Sequence, residues 1–303
     1  MGEVLQAVKY ALTIGSVYAL VAVGYSLIFS TTRIVNFAQG TLVVVGGYLG
    51  WWMYAQAFDG GVPMVVILLL VLAVTALVGL LFDLVAVEPL GRFDPRTNIG
   101  WLVTTFAAAI VAQEVVSKRI SDTGQTLPAL VGSVGGWTGS VVADVAIGPS
   151  DVLLVAVTAT LVAGLEAFQL VTRAGRAFRA VAQDRQAASL MGVNPQRMVR
   201  LSFIIAGALT GLSGVLIAPL YGVRFNIGLN LGVAGFVAAV IGGLGSTRGA
   251  IVGGYLVAAA EGVVGVLSDR ADTYRPVMVF AMFVLVLALR PTGMLGRPVV
   301  DKV

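Results

Sequence analysis

Few residues of this chain can do chemistry. It has no cysteine and no histidine, which removes disulfides, thiolate chemistry, His-ligated zinc and histidine proton relays. What remains is charge and buried polarity. From Thr172 to Asn194 the chain reads TRAGRAFRAVAQDRQAASLMGVN. Arg173, Arg176, Arg179 and Arg185 stand there, with Arg197 just beyond, against the single acid Asp184. A short basic segment between apolar runs has the chemistry of a handle. It can lie on anionic lipid or be gripped by a partner, and charge alone does not separate the two.

The other candidates are polar groups inside apolar runs. Glu261 sits about 11 residues into its helix, hence about 16 Å deep at 1.5 Å per residue. A carboxylate there costs about 2.5–3.5 kcal/mol on insertion scales, so it either bonds another helix or lines a path. Asn36 and Gln39 fall at the break between the first two helices. Amides there can satisfy freed backbone groups or contact a passing zwitterion. Asp83, Glu114 and Glu166 lie near helix ends, where they can snorkel to water. These scattered acids make no catalytic constellation, and the chain is not read as an enzyme.

The elements that position these groups follow from composition. The 303 residues are 58% hydrophobic and 11% charged, with mean hydropathy +0.96; a soluble domain is nearer 25% charged. Several apolar runs exceed the roughly 18 residues that mark a membrane span. Outer-membrane strands alternate apolar and polar residues, whereas Val65–Leu81 and Val152–Leu165 are almost continuously apolar. The expected fold is an all-α polytopic membrane protein, a single transmembrane domain over 1–303. Spans are expected near 8–30, 40–56, 63–86, 98–117, 150–171, 198–219, 230–245 and 250–268, with a further run at 275–290; that is about 8–9 transmembrane helices. The run 230–245 is short and rich in glycine (Gly232, Gly235, Gly242, Gly243), and a broken or partial span is expected there. The N-terminus lacks a basic n-region and its apolar run is too long for a cleaved leader, so it reads as a span that stays.

Charge sets the orientation. With 172–197 inside, alternation puts 31–39, 87–97, 245–249 and the tail from Arg290 inside as well. The inner side then holds Arg33, Arg92, Arg96, Arg248, Arg297 and Lys302 among its 13 basic residues, against 6 outside (Lys9, Lys118, Arg119, Arg224, Arg270, Arg275). Basic residues favour the cytoplasmic side, which leaves the N-terminus outside unless a segment near 31–45 re-enters. The pI of 9.6 therefore reports topology and not nucleic-acid binding. The extracytoplasmic loop 118–149 is a connector or a docking surface for a partner, and its VVADVAI end alternates as a short hairpin would.

Local patterns sharpen the basic stretch. Ala174, Ala177, Phe178, Val181, Ala188 and Met191 make an apolar stripe on one helix face. Gly192 suits a helix stop, and Asn194-Pro195 reads as the N-cap and first residue of the next helix. One amphipathic helix over 174–192 is expected. Elsewhere, Gly242, Gly243, Gly245, Gly249, Gly253 and Gly254 are dense enough for helices to cross closely. VVVGGYLG at 43–50 also echoes IVGGYLV at 251–257, a weak hint of internal duplication.

The run GRAFRAVAQDRQAASLMGVN resembles the cytoplasmic coupling segment of permease subunits of branched-chain amino-acid (LIV-type) ABC importers. Gly175, Arg176, Ala177, Arg179, Ala180, Ala182, Asp184, Ala188, Leu190, Gly192, Val193 and Asn194 match that family's pattern in place; the leading Glu of the wider E-A-A loop is absent. Ile34-Val35-Asn36-Phe37-Ala38-Gln39-Gly40 resembles its I-x-N-F-[AS]-[HQ]-G signature, with Gly24-Tyr25 ahead of it. Gly242-Gly243-Leu244-Gly245-Ser246, with Gly249-Ala250 and Gly253-Gly254, resembles a third motif. Arg290-Pro291-Thr292-Gly293-Met294-Leu295-Gly296 resembles a fourth. The resemblance covers nearly the whole chain. It implies a permease subunit in a bacterial cytoplasmic membrane, working with a second homologous permease, two ATPase subunits and an extracytoplasmic substrate-binding protein. ATP and Mg would sit on the ATPases, since this chain has no G-x-x-x-x-G-K-[ST] loop and is expected to bind no cofactor itself. The rival reading is an ion-coupled secondary transporter or channel, for which mid-membrane carboxylates are the usual sign; Glu261 alone fits it.

Overall fold

The computed structural model describes residues 2–59, 61–90, 100–130, 138–142, 145–268, 270–290 and 292–296. Helix α1 (Gly2–Thr32) carries no charge after Lys9, and from Thr13 onward it is buried on nearly every side. An all-round apolar helix belongs in the middle of a bundle. Helix α8 (Pro195–Tyr221) is buried in the same way from Phe203 to Ala218. Around these two pack α2 (Gln39–Trp52), α3 (Met64–Phe82), α9 (Phe225–Gly242) and α10 (Thr247–Leu267). The outer positions belong to α4 (Gly100–Arg119), α5 (Pro149–Val171) and α11 (Ala271–Leu289). Their exposed residues include Val103, Ile110, Val111, Val152, Val284 and Leu285, side chains that suit a hydrocarbon solvent. The chain is an all-α polytopic membrane protein.

Six helices among the described residues are long and apolar enough to cross a bilayer: α1, α3 with the π-helical turn that extends it to Val87, α4, α5, α8 and α10. The apolar stretches of α9 and α11 are shorter, and α2 has 14 residues before a π-helical turn at Met53–Ala57. A hairpin of β1 (Ser140–Val142) and β2 (Val145–Ile147) pairs Val141 with Ala146, where the alternating sequence placed one.

Contacts between distant segments define two faces. On one, Lys9 meets Asp151 at 3.1 Å and donates to the Ala146 carbonyl at 2.6 Å. The Tyr48 hydroxyl donates there to the Thr123 carbonyl at 2.9 Å, and Gln125 pairs with Val223. On the other, Arg248 pairs with Glu166 and Gln169 donates to Thr247. The 172–197 segment lies on this second face and the start of α1 on the first, so the two are on opposite sides of the bundle. Arg92, Arg96, Arg297 and Lys302 lie outside the described residues.

Two expectations need correction. The glycine-rich run at 230–245 is not broken. Helix α9 starts earlier, at Phe225, and runs unbroken to Gly242. Gly232 and Gly235 serve instead as contact points, against Gly40 and Val21; the stop comes at Gly243, with φ +104°. The second concerns the start of α2. Chain 33–38 folds back into the bundle after α1 ends, so that Gln39 lies beside Gly24 and Thr210, well inside α1 and α8. Gly24 is eight residues from Thr32, about 12 Å along the helix. Helix α2 then continues to the first face, where Tyr48 meets Thr123, so the start of α1 and the end of α2 share that face despite the partial re-entry.

Candidate functional site

The basic segment is two helices, not one. Helix α6 (Arg173–Gln183) is capped by Thr172, whose hydroxyl accepts from Gly175 N–H at 2.9 Å. The chain then breaks at Asp184 (φ −151°, ψ 108°), and α7 (Arg185–Leu190) begins. Asp184 Oδ1 accepts from the N–H groups of Gln186 and Ala187, both at 2.9 Å. In a continuous helix the Gln186 N–H would bond the Ala182 carbonyl. Here that carbonyl accepts from Arg33 Nη2 at 3.2 Å. One ladder bond is thus replaced by a cap on one side and a distant arginine on the other.

Helix α7 ends as the sequence requires. Val193 N–H bonds the Ala188 carbonyl and Gly192 N–H the Ser189 carbonyl, both at 3.0 Å, with Gly192 at φ +83°. This is the paired-bond stop that favours glycine. Asn194 then accepts from Arg197 N–H at 3.2 Å and caps α8, with Pro195 in the first position.

Gly175, Phe178, Val181 and Ala188 face the bundle and are buried; a methyl at Gly175 would overlap the Phe168 carbonyl. Ala177 is half-buried, while Arg176, Arg179 and Arg185 are exposed. Ala174 and Met191, expected on the same stripe, are exposed as well: Ala174 sits in the first turn of α6, and the break at Asp184 re-aims Met191 with the second half. Leu190 is 89% exposed and Met191 84%. Two large apolar side chains therefore stand free beside the arginines.

Arg33 was legible in the sequence only as an inner positive charge. The structure makes it the residue that ends α1, in the left-handed region at φ 60°, and that ties this end to α6. The usable signal was a basic residue just past a long apolar run, where cations satisfy terminal carbonyls. Beyond it, the Asn36 side chain accepts from Ala38 N–H at 3.1 Å. Gln39 donates to Thr210 Oγ1 and to the Ala206 carbonyl. Both amides are buried; Asn36 satisfies an N–H freed by the break, as irregular backbone at membrane depth requires, whereas Gln39 ties the start of α2 to the middle of α8. A methyl at Gly24 would overlap the Gln39 amide, so that glycine makes its room.

Glu261 is buried on α10 and accepts from two hydroxyls of α1, Tyr18 at 2.8 Å and Tyr10 at 3.1 Å. The Arg275 guanidinium of α11 lies 4.5 Å from the Tyr10 ring centre. The cluster joins three helices. Glu261→Gln keeps an acceptor for the tyrosines and is expected to preserve the melting temperature in detergent. Glu261→Ala leaves buried hydroxyls unpaired, at about 1–3 kcal/mol each, and should lower it by several degrees. Equal melting of the two variants would show that these bonds do not hold the helices.

The profile of the family described as "Branched-chain amino acid transport system / permease component" matches residues 7–287. This chain belongs to that family. The permease is 33% identical over 308 residues to the high-affinity branched-chain amino acid transport system permease protein BraD of Pseudomonas aeruginosa, covering 99% of this chain and 98% of the relative. It is also 33% identical over 317 residues to the corresponding protein LivH of Escherichia coli K12, covering 99% and 97%. A weaker likeness, 28% over 123 residues, reaches the permease protein LivM of the same organism, covering 40% of this chain and 28% of LivM. No solved structure gives a significant match.

In the permease the two glycine-bearing motifs form one structure. Gly242 and Gly249 press backbone on backbone across the α9–α10 turn, Gly253 meets the Ala238 carbonyl, and Gly254 meets Ala19 of α1. Gly245 takes a left-handed turn at φ +85°. The closing residues dock on the same turn: Met294 N–H bonds the Ile241 carbonyl and Leu295 N–H the Gly242 carbonyl, at 2.8 and 2.9 Å.

Proposed function

We propose that this permease is the membrane-spanning subunit of an ATP-binding-cassette importer in a bacterial cytoplasmic membrane. It moves branched-chain amino acids, or related small polar substrates, inward by alternating access. The observation that carries this reading is the 172–197 segment. Its two short helices are held at fixed ends by Thr172, Asp184, Gly192 and Asn194, and they present Leu190 and Met191 among exposed arginines. An apolar pair with a charged rim, outside the bundle's core, has the chemistry of a protein-docking surface. Its partner in this reading is an ATPase subunit, present in two copies, holding ATP and Mg.

The likeness to proteins named LivH, BraD and LivM supports a second, homologous permease beside this one. A substrate-binding protein would dock on the opposite face, where the 118–149 loop meets the start of α1 and α5. The decisive experiment is uptake of labelled leucine into proteoliposomes holding the assembly. Uptake should need ATP, the ATPase subunits and the binding protein, and should survive collapse of ion gradients. Uptake that runs without ATP and stops with the gradient would overturn the reading in favour of an ion-coupled carrier.

A further inference from the structure

Asp83 does not snorkel. Its side chain is fully buried, and among the described residues neither carboxylate oxygen has a hydrogen-bond partner. A buried acid inside a span marks function by default. It opens the π-helical turn Asp83–Val87, and the Glu88 N–H bonds the Asp83 carbonyl. That i to i+5 bond stacks Glu88 one turn below Asp83. Glu88 holds Arg200 of α8 at 2.6 Å, while the Arg200 Nε is buried and unbonded.

The α3–α8 seam shows why these three groups meet. A methyl at Gly79 would overlap the Phe203 carbonyl, and one at Gly207 would crowd the Thr75 carbonyl and Gly79. The helices therefore run antiparallel in backbone contact. One turn beyond Gly79 is Asp83; one turn back from Phe203 is Arg200. These positions are abreast. Helical side chains lean toward their own N-terminus, which carries the Arg200 guanidinium past Asp83 and down to Glu88. Two carboxylates are stacked one turn apart, and one arginine fills only the lower. At Gly79 and Gly207 the seam is backbone against backbone, and one turn further along it the Thr75 side chain seats against Gly211; α8 starts directly after the capped segment that ends at Asn194.

We propose that Arg200 exchanges Glu88 for Asp83 during transport, as α8 moves about one turn along α3 toward the opposite face. Asp83 is then a positioning residue that holds the shifted state. This rests on the importer reading, in which an ATPase pushes the segment before α8.

The test uses the full assembly in proteoliposomes. The chain has no native cysteine, so nitroxide labels attach at Val65→Cys, near the far end of α3, and Met198→Cys, near the start of α8. Pulsed spin–spin distances are compared without nucleotide and with ATP trapped. The expected result is a shortening of about 5 Å, one helical turn, that Asp83→Asn abolishes. A distance unchanged between the two states overturns the exchange even if Asp83→Asn fails to assemble. A shift of the same size in Asp83→Asn overturns it too. ATP-driven uptake by the unlabelled assembly reports on the importer reading separately: if uptake is ATP-driven while the distance stays fixed, only the exchange fails.

Discussion

Asp184→Arg should cut recovery of the ATPase with the purified permease at least tenfold, while the permease itself stays in the membrane at its normal level. Helix α7 has six residues, far too few to hold together alone. The acceptor for two of its N–H groups is Asp184, and losing such a cap costs about 0.5–2 kcal/mol. The arginine would add a positive charge at the helix end that already carries the positive pole. With α7 frayed, Leu190 and Met191 lose their placement. Asp184→Asn keeps a capping oxygen and should retain the ATPase within about twofold, since Asn and Asp cap about equally well. Gly192→Val attacks the other end. Nothing lies within 4 Å of a methyl at Gly192, so its effect comes only from φ +83°; left-handed backbone costs a residue with a side chain about 1–2 kcal/mol. Recovery of the ATPase at normal yield with Asp184→Arg and Gly192→Val would remove this segment as the coupling site.

That segment also shows where sequence reading stops. Its stops are local: Gly192, Asn194 and Pro195 act on their own neighbours, and all three do what their chemistry predicts. The break at Asp184 is not local. AVAQDRQAAS holds good helix formers, and an aspartate there fits a helix interior or a cap. There the Asp184 cap is joined by Arg33, 149 residues away, which takes the freed Ala182 carbonyl, a partner that no local pattern shows. The spans were legible because an apolar run of that length has few other fates. That Glu261 would face the bundle was legible as well, but α10 ends six residues beyond it at Leu267, closer than the expected depth, and its two tyrosine partners on α1 were not legible. Asp83 failed for a related reason. Distance from a helix end says how far a side chain must reach for water, not which way it faces, and the π-helical turn keeps Asp83 buried.

Gly242→Val is expected to leave less than a tenth of the normal amount of permease in the membrane fraction, whatever substrate or ATPase is supplied. The reason is contact between backbones. A methyl at Gly242 would overlap the Gly249 carbonyl, and one at Gly249 would overlap the Gly242 carbonyl. No rotamer can relieve a clash with main chain, so α9 and α10 must part. Overpacking of ordinary cores costs about 1–3 kcal/mol and occasionally more. Here the parting also pulls on Gly253 against Ala238 and Gly254 against Ala19, which seat α10 on α9 and on the central helix α1. It would equally strip Met294 and Leu295 from the carbonyls of Ile241 and Gly242. Gly164→Val supplies the comparison. That glycine also lies in a helix, with nothing within 4 Å of a methyl, and its valine variant should accumulate normally. Gly245→Ala should fall between them, because its neighbours stand off at 3.8 Å and only its left-handed backbone resists. Immunoblots of the membrane fraction give the order directly. If Gly242→Val accumulates like Gly164→Val, close approach of α9 and α10 is not what holds this corner together.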